Sequence, residues 1–393
     1  MADALIYAGL RTAVGAFGGA LSTVRTDDLA AVPIKAVVEK AGVTPQEIDD
    51  VIYGCANGSG EDNRNVARMA SLLAGLPVEV PGMTINRLCG SGLQSVACAA
   101  QAIKAGEGDL FVAGGIESMS RSPYVMLKAE KGFDRNPQIA DTTVGWRFVN
   151  KKMNPEWTIS LGATAEVVGE RYEVTREEQD AFAFESQRRA AAAIEEGVFK
   201  DEIVSVFVPQ RKADPIEFKV DEHPRQVSLE KLARLRPAFK KDGKVTAGSS
   251  SGINDGSAAL IVGAEGRLDK KPLARVIGTA VAGLDPSCMG LGPVPATRKV
   301  LKRAGLTLDD VDLIELNEAF AAQSLGCIKE LGLDMNKTNV YGGGIALGHP
   351  LGATGAKLLV TLIHALHRRE KKIGLVTMCI GVGQGIAMLV ERV

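Results

Sequence analysis

The amino-acid sequence contains an internal repeat, and this repeat limits the folds that the chain can adopt. AGVTPQEIDDVIYG at 41–54 resembles AGLTLDDVDLIELN at 304–317, an offset of 263 residues. Further along, Cys89-Gly-Ser-Gly corresponds to His349-Pro-Leu-Gly at an offset of 260. Each of these is followed by a helix-like run of small residues and then by an apolar, strand-like run. Two segments that match at nearly one offset indicate a duplicated supersecondary unit.

The pattern within each copy predicts an α/β unit. The runs DALIYAGL, DLAAVPIKAVVEKAG and DDVIYGCA alternate between strand-like and helix-like periodicity, which is typical of a mostly parallel sheet. A chain of 393 residues is longer than one core usually serves, so two or three domains are expected. We predict an N-terminal half (1–119 plus 250–268), an inserted loop domain (120–249) and a C-terminal half (269–393).

The composition excludes several classes of partner. Lys and Arg total 46 against 47 Asp and Glu, so the chain lacks the positive charge of a nucleic-acid-binding protein. It has neither an uncharged apolar run long enough to span a membrane nor the N-terminal pattern of a secretory signal. The six cysteines form no C-x-x-C pair. We therefore expect a cytoplasmic protein with no nucleic-acid or membrane partner, in which a special cysteine is catalytic rather than bridged.

Cys89 lies within NRLCGSGLQS, at the start of a predicted helix. Free cysteine is usually found in the apolar core, so a structural turn is one interpretation. However, a helix N-terminus stabilises an anion, and a nearby imidazole lowers the pKa of a thiol. The repeat would bring Cys89 and His349, at equivalent helix N-termini, to one cleft. We therefore expect a thiolate at Cys89 with His349 as its partner.

Two further residues stand at the ends of predicted strands. Cys379, in TMCIGVGQG, follows a strand at the end where α/β enzymes place their chemistry, or else it simply ends a buried strand. Asn317, in LIELNEAFAAQ, either caps the next helix or donates to a developing oxyanion. The isolated cysteines and the HPLG motif lack the closely paired ligands of structural zinc, so we expect no metal site.

The insert differs from both copies of the repeat. It contains both tryptophans, Trp146 and Trp157, a predicted helix in TREEQDAFAFESQRRAAAAIEEG, and a charged stretch at 211–244. This stretch holds ten Lys and Arg against six Asp and Glu. It is either a solvated lid or a lid that meets a phosphorylated ligand.

Four motifs in this order, NRLCGSGLQS, NEAF, GGGIALGHPLGATG and CIGVGQG, resemble those of the thiolase family, and the resemblance covers essentially the whole chain. It implies a duplicated, layered αβαβα fold with an inserted loop domain that covers coenzyme A. It also implies reversible thiolysis of 3-oxoacyl-CoA, or condensation of acetyl-CoA with an acyl-CoA, in fatty acid metabolism. Coenzyme A would enter as a substrate with no permanently bound cofactor, and the protein would be a homodimer or homotetramer whose tight interface includes EDNRNVARMASLLAG.

The resemblance also implies residue roles. Cys89 would carry the acyl group, His349 would take its proton, and Cys379 would exchange a proton with the methyl carbon of acetyl-CoA. One oxyanion site would consist of His349 and a water held by Asn317, and the other of the backbone N–H groups of Cys89 and Gly381. The implied coenzyme A contacts are a pantetheine-binding serine, a residue along the adenine pocket, a phosphate-side arginine and two residues that wall the acyl end: Ser251, Leu235, Arg225, Met289 and Phe320.

The substrate is less closely defined. Ser160-Leu161-Gly162 stands where acetoacetyl-CoA-specific thiolases have His-Met-Gly, and DTTVGWRF is similar to the branch that degrades 3-oxoacyl-CoA and 3-oxoadipyl-CoA. Tyr341 replaces an asparagine, with no consequence that the sequence reveals. A carboxylate-ended substrate would need a cation, which the 211–244 stretch could supply. A ketosynthase-type condensing enzyme and a non-catalytic lipid-binding protein are the alternatives, and the presence of Cys379 favours a thiolase.

Overall fold

Strands and helices alternate along the chain in the computed structural model, which describes residues 2–133 and 135–393. The strands in these ranges are β1 (Ala4–Thr12), β2 (Gly15–Ala16), β3 (Asp50–Gly54), β4 (Gly82–Ile85), β5 (Leu110–Ser118), β6 (Tyr124–Met126), β7 (Ile139–Asp141), β8 (Ile203–Val204), β9 (Val206–Val208), β10 (Ile216–Phe218), β11 (Asn254–Ala264), β12 (Ala274–Gly283), β13 (Leu313–Leu316), β14 (Ile373–Ile380) and β15 (Gln384–Arg392). The α-helices are α1 (Thr26–Ala41), α2 (Val66–Leu73), α3 (Ser91–Ala105), α4 (Leu161–Arg171), α5 (Arg176–Glu195), α6 (Leu229–Ala233), α7 (Pro293–Ala304), α8 (Ala321–Leu331), α9 (Gly344–Leu347) and α10 (Leu351–Arg368). None of the helices in these ranges has the length and apolar character needed to cross a membrane.

The sequence repeat is visible in the strand pairing. In the first copy β3 runs parallel to β5, and β11 pairs antiparallel with both β5 and β1. In the second copy β13 runs parallel to β14, and β15 pairs antiparallel with both β14 and β12. The two copies join where β1 and β12 pair, giving the sheet order β13-β14-β15-β12-β1-β11-β5-β3-β4. The prediction of a mostly parallel sheet is therefore wrong, because a three-residue turn at 381–383 returns β15 beside β14 without a crossover helix.

A central helical layer lies between the two halves of the sheet. Helices α3 and α10 pack against each other, and both contact strands from each copy. A Cβ atom at Gly92 would lie 2.7 Å from the Gly352 carbonyl oxygen, and one at Gly355 would lie 2.4 Å from the Leu93 nitrogen. The small residues that follow Cys89 and His349 therefore allow the two helices to cross closely. With α1 and α7 covering the outer faces, the expected αβαβα layering is confirmed.

The insert is held to the first half by buried charges. The Arg11 guanidinium on β1 donates to both oxygens of Asp221, at 2.8 and 2.9 Å, and to Glu202 at 2.6 Å. Short strand β8 also pairs with β1, and helix α5 begins at a capping box formed by Thr175. The predicted division of the chain into two halves and an inserted loop domain stays a prediction.

Candidate active site

The Cys89 loop turns sharply between β4 and α3. Leu88 adopts a positive φ of 47°, which is uncommon for a residue other than glycine. The Ser91 hydroxyl accepts from the Arg87 N–H and donates to the Leu88 carbonyl, which closes the turn. Gly90 packs against Ile380 so closely that an added Cβ would lie 2.5 Å from its Cδ1. The loop therefore holds Cys89 directly against the end of β14.

His349 is held in one tautomer by its neighbours. Its backbone N–H donates to Asn254 Oδ1 at 3.0 Å, and its Nδ1 lies 2.7 Å from the Thr354 hydroxyl. That hydroxyl donates its single proton to the Pro350 carbonyl at 2.8 Å, so it must accept from Nδ1–H. The Nε2 atom of His349 is therefore the unprotonated nitrogen, available to accept a proton.

Asn317 contacts that nitrogen from the end of β13. Its Nδ2 lies 3.4 Å from His349 Nε2, and its Oδ1 is a buried atom without a hydrogen-bond partner among the described residues. The helix-cap interpretation of Asn317 is wrong, because α8 begins only at Ala321 with Phe320 at the cap position. Asn317 therefore faces the imidazole rather than a helix end.

Cys379 on β14 and Gly381 in the turn that follows it complete the cluster. The Gly381 N–H is directed at the Cys89 thiol and acts to lower its pKa, but burial is the larger effect and raises that pKa to about 11. Burial also raises the pKa of Cys379 well above its ordinary value, and a negative charge on Cys89 would raise it further. The two thiols therefore lie close enough for the charge state of one to affect the other.

Burial also sets the charge state of the imidazole. It lowers the pKa of His349 to about 3, with a smaller contribution from the Lys357 ammonium. The raised pKa of Cys89 and the lowered pKa of His349 both favour the uncharged thiol–imidazole pair, and the thiolate at Cys89 stays a prediction. Proton transfer from Cys89 must accompany attack on the substrate, as in other sites where a base activates a neutral nucleophile.

Most of the predicted site residues line one cavity. This inner cavity has a volume of about 370 Å³, and eight of the ten predicted residues line it: Cys89, Arg225, Ser251, Met289, Phe320, His349, Cys379 and Gly381. Asn317 lies behind His349, outside the lining. Leu235 lines a smaller entry pocket of about 190 Å³, which shares Arg225, Ala247 and Ser250 with the inner cavity. The two spaces therefore adjoin, as a long coenzyme A chain would require.

A third space also has Cys89 in its lining and shares no lining residue with the entry pocket. We call it the far pocket; its volume is about 460 Å³, and it is lined by Cys89, Gly381 and a segment of the insert that includes Trp146 and Arg147. Gly381 lacks a side chain where the Trp146 ring passes, since a Cβ there would lie 2.7 Å from the ring. Leu161 lines both the far pocket and the inner cavity.

Sequence reasoning missed several residues of this site. Thr354 and Asn254 orient His349, and buried Glu318 accepts hydrogen bonds from Ser186, from Asn339 and from the Ile345 backbone N–H in α9. The adjacency of Glu318 to Asn317 in the NEAF motif was the available signal. By contrast, Tyr341 contacts Phe199 and Arg369 and is absent from the lining of all three spaces.

Comparisons with known proteins agree with this geometry. Residues 4–266 match the family model for the thiolase N-terminal domain, and residues 270–392 match that for the thiolase C-terminal domain. The chain belongs to the thiolase family. It is an acyltransferase that acts on 3-oxoacyl-CoA thioesters and uses coenzyme A as a substrate rather than as a resident cofactor.

Individual relatives cover the full chain. The chain is 55% identical to the 3-oxoadipyl-CoA/3-oxo-5,6-dehydrosuberyl-CoA thiolase of Escherichia coli K12, over 100% of both proteins. It is 52% identical to a beta-ketoadipyl-CoA thiolase of Acinetobacter baylyi, again over 100% of both. The crystal structure of the Bacillus anthracis acetyl-CoA acetyltransferase superposes with a TM-score of 0.94 at 45% identity, covering 100% of this chain and 99% of that one.

Proposed function

We propose that this thiolase cleaves 3-oxoadipyl-CoA with coenzyme A to give succinyl-CoA and acetyl-CoA, and that Cys89 carries the succinyl group between the two steps. The observation that carries the residue assignment is the convergence of two thiols, Cys89 and Cys379, with the unprotonated Nε2 of His349 around one cavity. The relatives named as 3-oxoadipyl-CoA and beta-ketoadipyl-CoA thiolases support the choice of substrate. This choice narrows the role in fatty acid metabolism to dicarboxylic acyl groups.

The first half-reaction cleaves the carbon–carbon bond. His349 Nε2 takes the proton of the Cys89 thiol while the sulfur attacks the 3-oxo carbon of the substrate. The bond between C2 and C3 breaks, and its electron pair stays on C2 as the enolate of acetyl-CoA. Cys379 protonates C2, and acetyl-CoA leaves. A thiol whose pKa is raised holds its proton until this carbon develops negative charge, which suits a general acid.

The second half-reaction transfers the acyl group. The Cys379 thiolate takes the proton of coenzyme A, whose sulfur attacks the thioester carbon on Cys89. The bond to Cys89 breaks, and the sulfur recovers its proton from His349. The N–H groups of Cys89 and Gly381 would stabilise the oxyanion at this carbon. The amide of Asn317 would support the second oxyanion site through His349 and a water bound at its unpartnered Oδ1.

Coenzyme A would enter along the inner cavity and the entry pocket. Ser251 would contact the pantetheine, Arg225 the phosphates and Leu235 the adenine, while Met289 and Phe320 would wall the inner end. These positions follow the order of the two adjoining spaces.

We further propose a homo-oligomer in the cytoplasm, either a homodimer or a homotetramer. Strand β4 lies at one edge of the central sheet, and Met83 on it is half exposed. Leu73 and Val78 add exposed apolar surface beside it, within or next to the segment for which an interface is expected. Size-exclusion chromatography with light scattering tests this, because a monomer at micromolar concentration contradicts it and Met83→Lys should weaken the assembly.

Thiolysis assays test the proposed function. The substrates are acetoacetyl-CoA, 3-oxohexanoyl-CoA, 3-oxopalmitoyl-CoA and 3-oxoadipyl-CoA, and we expect the highest kcat/KM for 3-oxoadipyl-CoA. Cys89→Ser should abolish activity, whereas Cys98→Ser, which alters another free cysteine on α3, should retain it. A preference for acetoacetyl-CoA would instead assign the activity named for the Bacillus anthracis structure.

A further inference from the structure

The far pocket contains one guanidinium group. Its described lining consists mainly of apolar, amide-bearing and hydroxyl-bearing residues, and Arg147 is the only basic side chain within that lining. The single carboxyl group there is that of Glu117, which is buried and accepts hydrogen bonds from the backbone N–H groups of Ala56, Asn57 and Gly352. Burial raises the pKa of Glu117 to about 7, so this group carries less negative charge than an ordinary carboxylate. The pocket that begins at Cys89 is thus suited to an acyl group with an anionic end.

Arg147 has no carboxylate partner in the described parts of the chain. Its guanidinium makes one long hydrogen bond, 3.5 Å from Nη2 to Asn57 Oδ1, although the side chain is partly buried. Other partly buried arginines make shorter hydrogen bonds: Arg121 lies 2.6 Å from Glu61, Arg176 lies 2.8 Å from Asp180, and Arg87, which also lacks a carboxylate partner, lies 2.9 Å from Gln94 Oε1. Burying an unpaired charge is unfavourable, so an unpaired guanidinium in a pocket indicates an anionic ligand.

Asn57 accepts the one hydrogen bond that the guanidinium donates. Its Nδ2 donates to the Thr142 hydroxyl at 2.8 Å and to the Thr142 carbonyl at 3.3 Å. These bonds fix the orientation of the amide and direct its oxygen toward Arg147. The arginine is therefore oriented by a neutral acceptor that leaves most of its donors free, and a guanidinium can donate two parallel hydrogen bonds to a carboxylate.

We propose that Arg147 binds the terminal carboxylate of the acyl group and thereby makes the far pocket selective for short dicarboxylic substrates. The inference rests on the proposed function and names the residue that carries its specificity. In a succinyl group on Cys89, the carboxylate carbon is three bonds beyond the thioester carbonyl carbon. It would extend from Cys89 into the pocket that Arg147 lines.

The basic stretch at 211–244 does not supply this cation. Arg225 lines the inner cavity and the entry pocket, and Lys231 lines the entry pocket, on the coenzyme A side of Cys89. None of the residues of that stretch lines the far pocket. Arg147 and Arg225 therefore contact opposite ends of the substrate, which makes Arg225 a matched comparison.

The test compares 3-oxoadipyl-CoA with 3-oxohexanoyl-CoA, which have the same number of acyl carbons and differ in the terminal group. Arg147→Gln should lower kcat/KM for 3-oxoadipyl-CoA by about 10- to 100-fold, since a charge-assisted bidentate contact is lost, and leave 3-oxohexanoyl-CoA nearly unchanged. For Arg147→Lys, kcat/KM for 3-oxoadipyl-CoA should lie between the values of the wild type and of Arg147→Gln, because an ammonium retains the charge without the planar guanidinium geometry. Arg225→Gln should lower kcat/KM for both substrates by a similar factor.

Activity on 3-oxohexanoyl-CoA reports whether each variant is folded. If Arg147→Gln does not fold, the role of Arg147 is tested with Arg147→Lys, through its ratio of kcat/KM for 3-oxoadipyl-CoA to kcat/KM for 3-oxohexanoyl-CoA. Equal loss on both substrates, or an unchanged preference for 3-oxoadipyl-CoA in a folded variant, overturns the role of Arg147 and leaves the proposed function intact. A wild-type protein that shows no preference for 3-oxoadipyl-CoA overturns the proposed substrate itself.

Discussion

Thr354→Val would remove the hydroxyl that accepts the hydrogen bond of His349 Nδ1 while nearly preserving the shape of the side chain. In the wild type this bond, 2.7 Å long, keeps the proton on Nδ1 and leaves Nε2 free to accept the proton of Cys89. In the variant, Nδ1–H has no acceptor at this position. The imidazole either buries an unsatisfied donor or moves its proton to Nε2, where it blocks proton transfer from Cys89.

The magnitude follows from the loss of one buried hydrogen bond. Leaving a buried donor without its partner costs about 1–3 kcal/mol. If this free energy disfavours the productive tautomer, kcat falls by about 5- to 150-fold, at about 1.4 kcal/mol per factor of ten. KM should stay nearly constant, because Thr354 is fully buried and does not line the inner cavity.

The assay is steady-state thiolysis with kcat and KM measured separately. Thr354→Ser keeps the hydroxyl and should restore kcat to nearly the wild-type value. Thr361→Val is the matched control, because Thr361 is also buried on α10 but donates to Glu202, at 3.0 Å, away from the site. A wild-type kcat in Thr354→Val, or an equal loss in Thr361→Val, would refute the tautomer argument.

Three further outcomes follow from the same structure. Cys379→Ser should still accept an acetyl group from acetyl-CoA on Cys89, though more slowly because coenzyme A leaves without the Cys379 proton, and should almost lose condensation, as measured by acetoacetyl-CoA formation. Condensation near the wild-type rate would exclude Cys379 as the base. Gly92→Ala would place a Cβ 2.7 Å from a carbonyl oxygen of α10 and should lower the free energy of unfolding by about 1–3 kcal/mol. Gly58→Ala, with open space around it, should leave the free energy of unfolding unchanged, and equal denaturation midpoints for the two variants would contradict this. Because the pKa of His349 is lowered to about 3, its base form persists as the pH falls, so kcat/KM should show no acid limb near the ordinary histidine value of about 6.5; a pH profile with such a limb would show that the imidazole is not buried in this way.

The repeat explains why much of the site was predictable. Cys89 and His349 precede equivalent helices, α3 and α10, which cross closely at Gly92 and Gly355, so their N-termini meet. Asn317 and Cys379 belong to neighbouring parallel strands, whose carboxyl ends meet at one edge of the sheet. Local motifs and the offset between the copies were therefore sufficient to predict that Cys89 lies near His349 and that Asn317 lies near Cys379.

Other features depend on contacts that no local pattern records. Burial is the largest influence on the pKa of Cys89 and raises it, whereas the Gly381 N–H, far along the chain, lowers it. The position of Arg147 depends on Asn57, ninety residues earlier in the chain, and on a part of the insert with little regular structure. The orientation of His349 depends on Thr354, five residues later in the same motif, and on Asn254, ninety-five residues earlier in the chain, which no local pattern connects with it.

The acyl-enzyme on Cys89 is the central claim, and it can be observed directly. The wild-type protein is mixed with 3-oxoadipyl-CoA in the absence of free coenzyme A, quenched with acid and digested, and the peptides are analysed by mass spectrometry. The first half-reaction then forms acetyl-CoA in an amount equal to the enzyme and stops. We predict a succinyl group on the peptide that contains Cys89 and none on the other five of the six cysteines. A succinyl group on Cys379, or acetyl-CoA formation with no acylated cysteine, would contradict the account.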